Sequence, residues 1–79
     1  MEIHGVIQDW VVDTYRSTGF YVARGTIVGD TKGRWEDGHW IRTSAIMSSV
    51  VNLKEGDIIQ TRNSNYILGR ERRVPEETS

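Results

Sequence analysis

Cysteine is absent from this 79-residue chain, which excludes a disulfide framework and a thiolate metal site. The absence permits a reducing cytosol without requiring one. No apolar run approaches the ~20 residues that cross a bilayer as a helix, and no signal-peptide pattern opens the chain. The expectation is a cytoplasmic protein with no membrane partner. An excess of one charge is missing too, since 10 basic residues stand against 11 acidic ones for a net charge of -1. Nucleic-acid binders usually carry a visible basic excess, because phosphate neutralisation supplies their affinity. Nucleic acid is therefore not the expected partner. Proline occurs only at Pro75, and no stretch shows a convincing helical period.

Short chains need help to stay folded. At 79 residues and 37% hydrophobic content, one domain with a small core is expected. Without disulfides the remaining staple is self-association, so a homo-oligomer is expected. The folded domain is read as residues 1–69. The charged stretch 70–79, with Arg70, Arg72 and Arg73 among Glu71, Glu76 and Glu77, reads as a flexible, disordered tail.

What is present repeats mainly with period two. Phe20 to Val28 alternates Phe20, Val22, Arg24, Thr26 and Val28 against Tyr21, Ala23, Gly25 and Ile27. Asp13 to Gly19 reads as a polar connection before it. Asp57–Arg62 and Asn65–Leu68 read as a hairpin closed by Asn63-Ser64, with Thr61 facing Tyr66 and Ile59 facing Leu68. Residues 2–12 are ambiguous. Ile3, Val6, Ile7, Trp10 and Val11 suit a short amphipathic helix, whereas the β-branched content and Gly5 favour a strand bulged at Gly5. Five or six short strands with frequent turns predict an all-β fold, a small antiparallel barrel or roll of SH3-like or similar type.

The densest chemistry lies in Arg34-Trp35-Glu36-Asp37-Gly38-His39-Trp40-Ile41-Arg42. Asp37-Gly38 is a type I′ turn signal, because glycine accepts positive φ and aspartate tolerates it. Such a turn pairs Glu36 with His39 and sets Trp35 directly opposite Trp40. The candidate binding residues are Trp35, Trp40, Arg42, Arg34 and His39. If Ile41 points into the core, Trp40 and Arg42 point outward together. The structural alternative is a core cluster of both indoles with Trp10, since cross-strand indoles stabilise a hairpin without any ligand.

Catalytic patterns are sparse. His4 and His39 have no metal-ligating neighbour at the required spacing, and Glu36-Asp37 and Glu55/Asp57 sit at turns, where acidic residues are common. Thr43-Ser44 and Ser48-Ser49 supply hydroxyls, but no Gly-x-Ser-x-Gly elbow or Ser-x-x-Lys pattern activates them. The glycines around Asp30-Thr31-Lys32 lack the spacing of a phosphate loop. No catalytic residue, metal or cofactor is expected, and the chain reads as a non-enzyme.

Three segments together resemble a known group. Gly25-x-Ile27-x-Gly29, then Arg34-Trp35-x-Asp37-Gly38-x-x-Ile41-x-Thr43-Ser44, then Thr61-Arg62-Asn63-Ser64-x-Tyr66-x-Leu68-Gly69 are similar to small uncharacterised accessory proteins of tailed phages and prophages. The resemblance implies a phage accessory product in the host cytoplasm that binds and inhibits or redirects a host protein, for instance a defence factor. It transfers no active-site residue. Two alternatives from other classes remain: an oligomer that binds or sequesters a small molecule such as a nucleotide-type signal, and a minor virion assembly component.

Overall fold

Much of the period-two sequence becomes sheet. The computed structural model describes residues 1–15 and 17–72, and among these it contains five strands and no helix. They are β1 (Gly5–Tyr15), β2 (Phe20–Val28), β3 (His39–Arg42), β4 (Ile58–Gln60) and β5 (Asn65–Leu68). A single sheet holds them in the order β3-β2-β1-β5-β4.

The ambiguous N-terminal segment is a strand, and its helix-like spacing has a local cause. Gln8 pairs with Thr26 and Val11 with Arg24, so Asp9 and Trp10 together oppose the single residue Gly25. Asp9 takes a left-handed φ of 52°, a conformation that aspartate tolerates better than most residues. One extra residue turns the inward sequence from 7, 9 into 7, 10, which mimics a helical step. Ile7 and Trp10 are both buried as a result. The bulge expected at Gly5 thus lies at Asp9-Trp10. Asp13, Thr14 and Tyr15 extend β1 where a polar connection was expected.

Gly25 is the residue that the bulge requires. A Cβ placed there would stand 2.5 Å from Ile7 Cγ2 and 2.6 Å from the Gln8 carbonyl oxygen. On the other side of β1 runs β5, in the parallel direction, with Gly5, Val6 and Ile7 beside Tyr66, Ile67 and Leu68. The expected antiparallel barrel is corrected on two counts: the sheet is mixed, and it does not close. Its far edges are joined through residues 44–48. There Ile46 N–H donates to the Tyr21 carbonyl and Met47 N–H to that of Gln60, with a single bridge between Ile46 and Thr61. The result is a curled sheet around Ile7, Ile27, Ile59 and Leu68, all fully buried.

Both hairpin registers differ from expectation. In the second, Ile59 pairs with Tyr66 and Gln60 with Asn65, so the turn centres on Arg62-Asn63. The Thr61 hydroxyl decides this. It accepts the Ser64 N–H at 3.1 Å and donates to the Ser64 carbonyl at 2.8 Å, closing the loop one residue early. A slip of two positions preserves the faces, and Ile59, Thr61, Tyr66 and Leu68 are all buried as their alternation predicts.

At Asp37-Gly38 a turn does form, with His39 N–H donating to the Glu36 carbonyl at 3.2 Å. Only Gly38 has positive φ, 88°, so the turn is of type II pattern and not type I′. No strand precedes it, because Asp30 has already captured that segment. The Asp30 carboxylate accepts the amides of Arg34 at 2.6 Å, Trp35 at 3.1 Å and Lys32 at 3.3 Å. β3 consequently pairs with β2, with Trp40 opposite Thr26 and Arg42 opposite Arg24.

The Arg34 guanidinium completes this loop. It pairs with Asp30 at 2.9 Å and donates to Ser64 Oγ at 3.0 Å and to the Tyr66 hydroxyl at 3.2 Å, tying the β2–β3 connection to the last hairpin. The Asp30 side chain is fully covered. The Arg34 guanidinium beside it holds its carboxyl well below the usual carboxylate range, helped by the amides of Arg34, Lys32 and Trp35 against the opposing effect of burial. Of the tail expected from Arg70, Arg70–Arg72 lie along β1: Trp10 N–H donates to the Arg70 carbonyl and Arg72 N–H to the Trp10 carbonyl. Residues 73–79 lie outside the described residues.

Two outcomes are expected. Gly25→Ala forces the bulge apart and lowers unfolding stability by ~1–3 kcal/mol, the usual cost of overpacking; urea denaturation measures it, and an unchanged midpoint would refute the close-approach account. A carboxylate whose folded pKa is depressed contributes stability that is full above its unfolded value. That contribution is lost as pH falls from about 4 toward the folded value. The thermal midpoint of the protein should drop over that range. Asp30→Asn should melt lower at neutral pH and show a shallower acid dependence. Parallel curves for the two proteins would remove Asp30 from the explanation.

Candidate functional site

β3 is only four residues long, His-Trp-Ile-Arg, and it lies at the edge of the sheet. Ile41 points into the core at 4% exposure. Alternation then turns Trp40 and Arg42 to the outer face, where Trp40 is 48% exposed. His39 is exposed at the start of the strand, opposite Ile27.

The three tryptophans occupy three different environments. Trp10 is buried, with its Nε1–H donating to the Gly69 carbonyl at 2.8 Å. Trp35 is half-buried against the core, and the Arg34 guanidinium covers its ring at 4.3 Å from the centroid. Trp40 alone of the three stands out from the surface. The expected face-to-face pair of Trp35 and Trp40 does not exist, since Thr26 occupies the position opposite Trp40. The structure therefore brings Trp40 and Arg42 together and assigns Trp35 and Arg34 to holding the loop.

Around Trp40 and Arg42 the outer face is rich in guanidinium groups. Arg24 stands directly opposite Arg42 in the antiparallel register. Like charges in that relation are destabilising, and the Asp13 carboxylate offsets part of the repulsion from 3.4 Å away. Arg24 Nε is covered but makes no hydrogen bond, so this contact is an ion pair of poor alignment. Arg72 reaches over the Trp40 ring at 5.8 Å. Beside it Arg70 pairs with Asp9 at 3.0 Å, and a shallow depression runs between Trp40, Asp9 and these residues.

A better-formed cleft opens past the end of β3. It holds about 280 Å³ and is lined by Phe20 and Val22 of β2, by Arg42 to Ala45, and by Thr18 and Arg62. Arg62 lies over the Phe20 ring at 5.4 Å, and Phe20 is 42% exposed. The Thr43 hydroxyl, buried at the base, donates to the Ser44 carbonyl at 2.8 Å and accepts the Ala23 N–H at 3.0 Å. That hydroxyl is engaged in structure; the arginines and rings are the groups this face can offer. Its chemistry is stacking and anion pairing.

Phe20, Arg24, Arg62 and Arg72 were missed by sequence reasoning. The outward parity of Phe20 and Arg24 was visible in the alternation of β2. That β3 would lie beside β2, and that the Arg62 turn would curl round to the same end, was not. Among the described residues no group of three or more His, Asp or Glu side chains converges as a metal site would require. No helix there is long and apolar enough to cross a membrane.

No curated protein and no solved structure matches the chain. Residues 7–78, which include every strand but the first two residues of β1, match the family described as a domain of unknown function, DUF6957. The chain belongs to the DUF6957 family.

Proposed function

We propose that the protein is a non-enzymatic, phage-encoded accessory protein that binds a host protein in the host cytoplasm and inhibits or redirects it. The observation that carries this reading is the half-exposed Trp40 beside Arg42 on an edge strand. Tryptophan and arginine are the residues most enriched among those that dominate interface energies. An edge strand also leaves one row of backbone groups open to a partner's chain. The phage context rests on the resemblance of the Gly25, Arg34-Trp35 and Thr61 segments. Those segments supply the second half of β2, the Asp37-Gly38 turn with β3, and the turn and β5 of the last hairpin. Self-association belongs to the same reading. The core is small, and Ile58 on the opposite edge strand is 45% exposed.

The test begins with capture of partners from host lysate on the folded protein, followed by affinity measurement with the protein recovered. Trp40→Ala should keep the thermal midpoint and weaken binding by ~2 kcal/mol, roughly thirtyfold, with a smaller loss for Arg42→Ala. Trp35→Ala should act differently and lower the midpoint, because its indole packs on the core. Unchanged affinity in folded Trp40→Ala and Arg42→Ala would move the binding surface away from β3. Sedimentation at micromolar concentration should show a dimer or larger species, and a lone 9.1 kDa species would contradict self-association.

A further inference from the structure

The geometry points to a second, small-molecule site: the cleft between Phe20, Arg42 and Arg62 binds a planar ring carrying one phosphate or carboxylate. This inference does not rest on protein docking through Trp40, which does not line the cleft, although Arg42 belongs to both surfaces. The cleft's volume, about 280 Å³, falls just below the roughly 300–1,000 Å³ typical of ligand pockets. That size admits one ring system with one anionic group and little more.

The lining determines the charge of the occupant. Among the described residues the lining holds two arginines and no carboxylate, and Arg62 is the one that decides this charge. Among the described residues, Arg62 makes no ion pair with any carboxylate and rests its guanidinium over the Phe20 ring instead. A planar guanidinium presents two parallel N–H donors to a carboxylate or phosphate. The half-exposed Phe20 ring offers a face on which a second ring stacks.

The site is also held in place before any ligand arrives. Arg62 N–H donates to the Ala45 carbonyl at 3.1 Å and Asn63 N–H to Ser44 Oγ at 3.3 Å, which fastens the last hairpin's turn to the chain leaving β3. Thr43 N–H donates to the Ala23 carbonyl at 2.8 Å and fastens that chain to β2. Val22, 5% exposed, supplies an apolar floor. Arg42 and Arg62 therefore enter the cleft from two backbone segments that are bonded to each other, so little ordering is left for binding to impose.

The experiment is a titration of the isotope-labelled protein with AMP, UMP and benzoate. Adenosine, uridine and inorganic phosphate serve as controls that lack either the charge or the ring. At least one of the three ring anions should shift the amide resonances of Phe20, Thr43, Ser44 and Arg62. The matching controls should bind about tenfold more weakly or worse. Preference for the nucleotides would mark a phosphate ligand, and preference for benzoate a carboxylate. Arg62→Ala should weaken binding about tenfold, as loss of a charge-assisted hydrogen bond does. Arg62→Gln preserves side-chain length and should show the same loss if the alanine variant folds poorly. Trp40→Ala should bind unchanged. Absence of any shift at millimolar ring anion overturns the proposal. So do shifts confined to other surfaces, equal binding of the neutral nucleosides, and full affinity in folded Arg62 variants.

Discussion

Where Asp9 and Trp10 of β1 together face Gly25 of β2, an extra residue enters the strand and rotates its later half by one side-chain step. That step drops the Trp10 indole into the core and aims its Nε1–H at the Gly69 carbonyl. It also turns the Trp10 backbone away from β2, where the Arg70 carbonyl and the Arg72 amide take up its hydrogen bonds. The residues beyond β5 are thereby drawn along β1. Arg72 comes within reach of the exposed Trp40, and Arg70 within reach of Asp9. Much of the outer surface near β3 thus descends from one irregularity in a neighbouring strand.

A second constraint separates the residues that hold the fold from those that face outward. Asp30 gathers three backbone amides and the Arg34 guanidinium, and Arg34 passes the connection on to Ser64 and Tyr66. This network ends any prospect of a strand over residues 33–36. It leaves Trp35 pressed half-buried between Arg34 and the core. The first indole and first arginine of the dense motif therefore belong to the scaffold. The second indole and second arginine remain at the surface because β3 is too short, and too near the edge, to be covered.

The candidate site was partly legible. The parity of Trp40-Ile41-Arg42 followed from one aliphatic residue between two large polar or amphipathic ones, and burial of Ile41 fits it. Trp35 and Arg34 could not be separated from Trp40 and Arg42 by sequence, because their roles depend on a carboxylate that also commands the local backbone. The cleft at Phe20 was not legible at all. Its walls come from the β1–β2 turn, the end of β3 and the last hairpin, which are far apart in the chain and meet only when the sheet curls.

Local chemistry by itself determined the strand character of the chain, the span of β2, and the inward parity of Ile59, Thr61, Tyr66 and Leu68. Each depends on residues two apart or on a neighbouring turn. Only the tertiary structure decided the rest. The parallel pairing of β1 with β5 joins the two ends of the domain. The bulge is recognisable only once Gly25 is known to lie opposite Trp10. The turn at Asp37-Gly38 stands where its residues put it, whereas local side-chain hydrogen bonds of Thr61 and Asp30 override the backbone pattern at the last turn and over residues 33–36. Periodicity reports which face a residue takes, but not which strand lies beside it, because pairing energy arises between segments that the chain must first bring together.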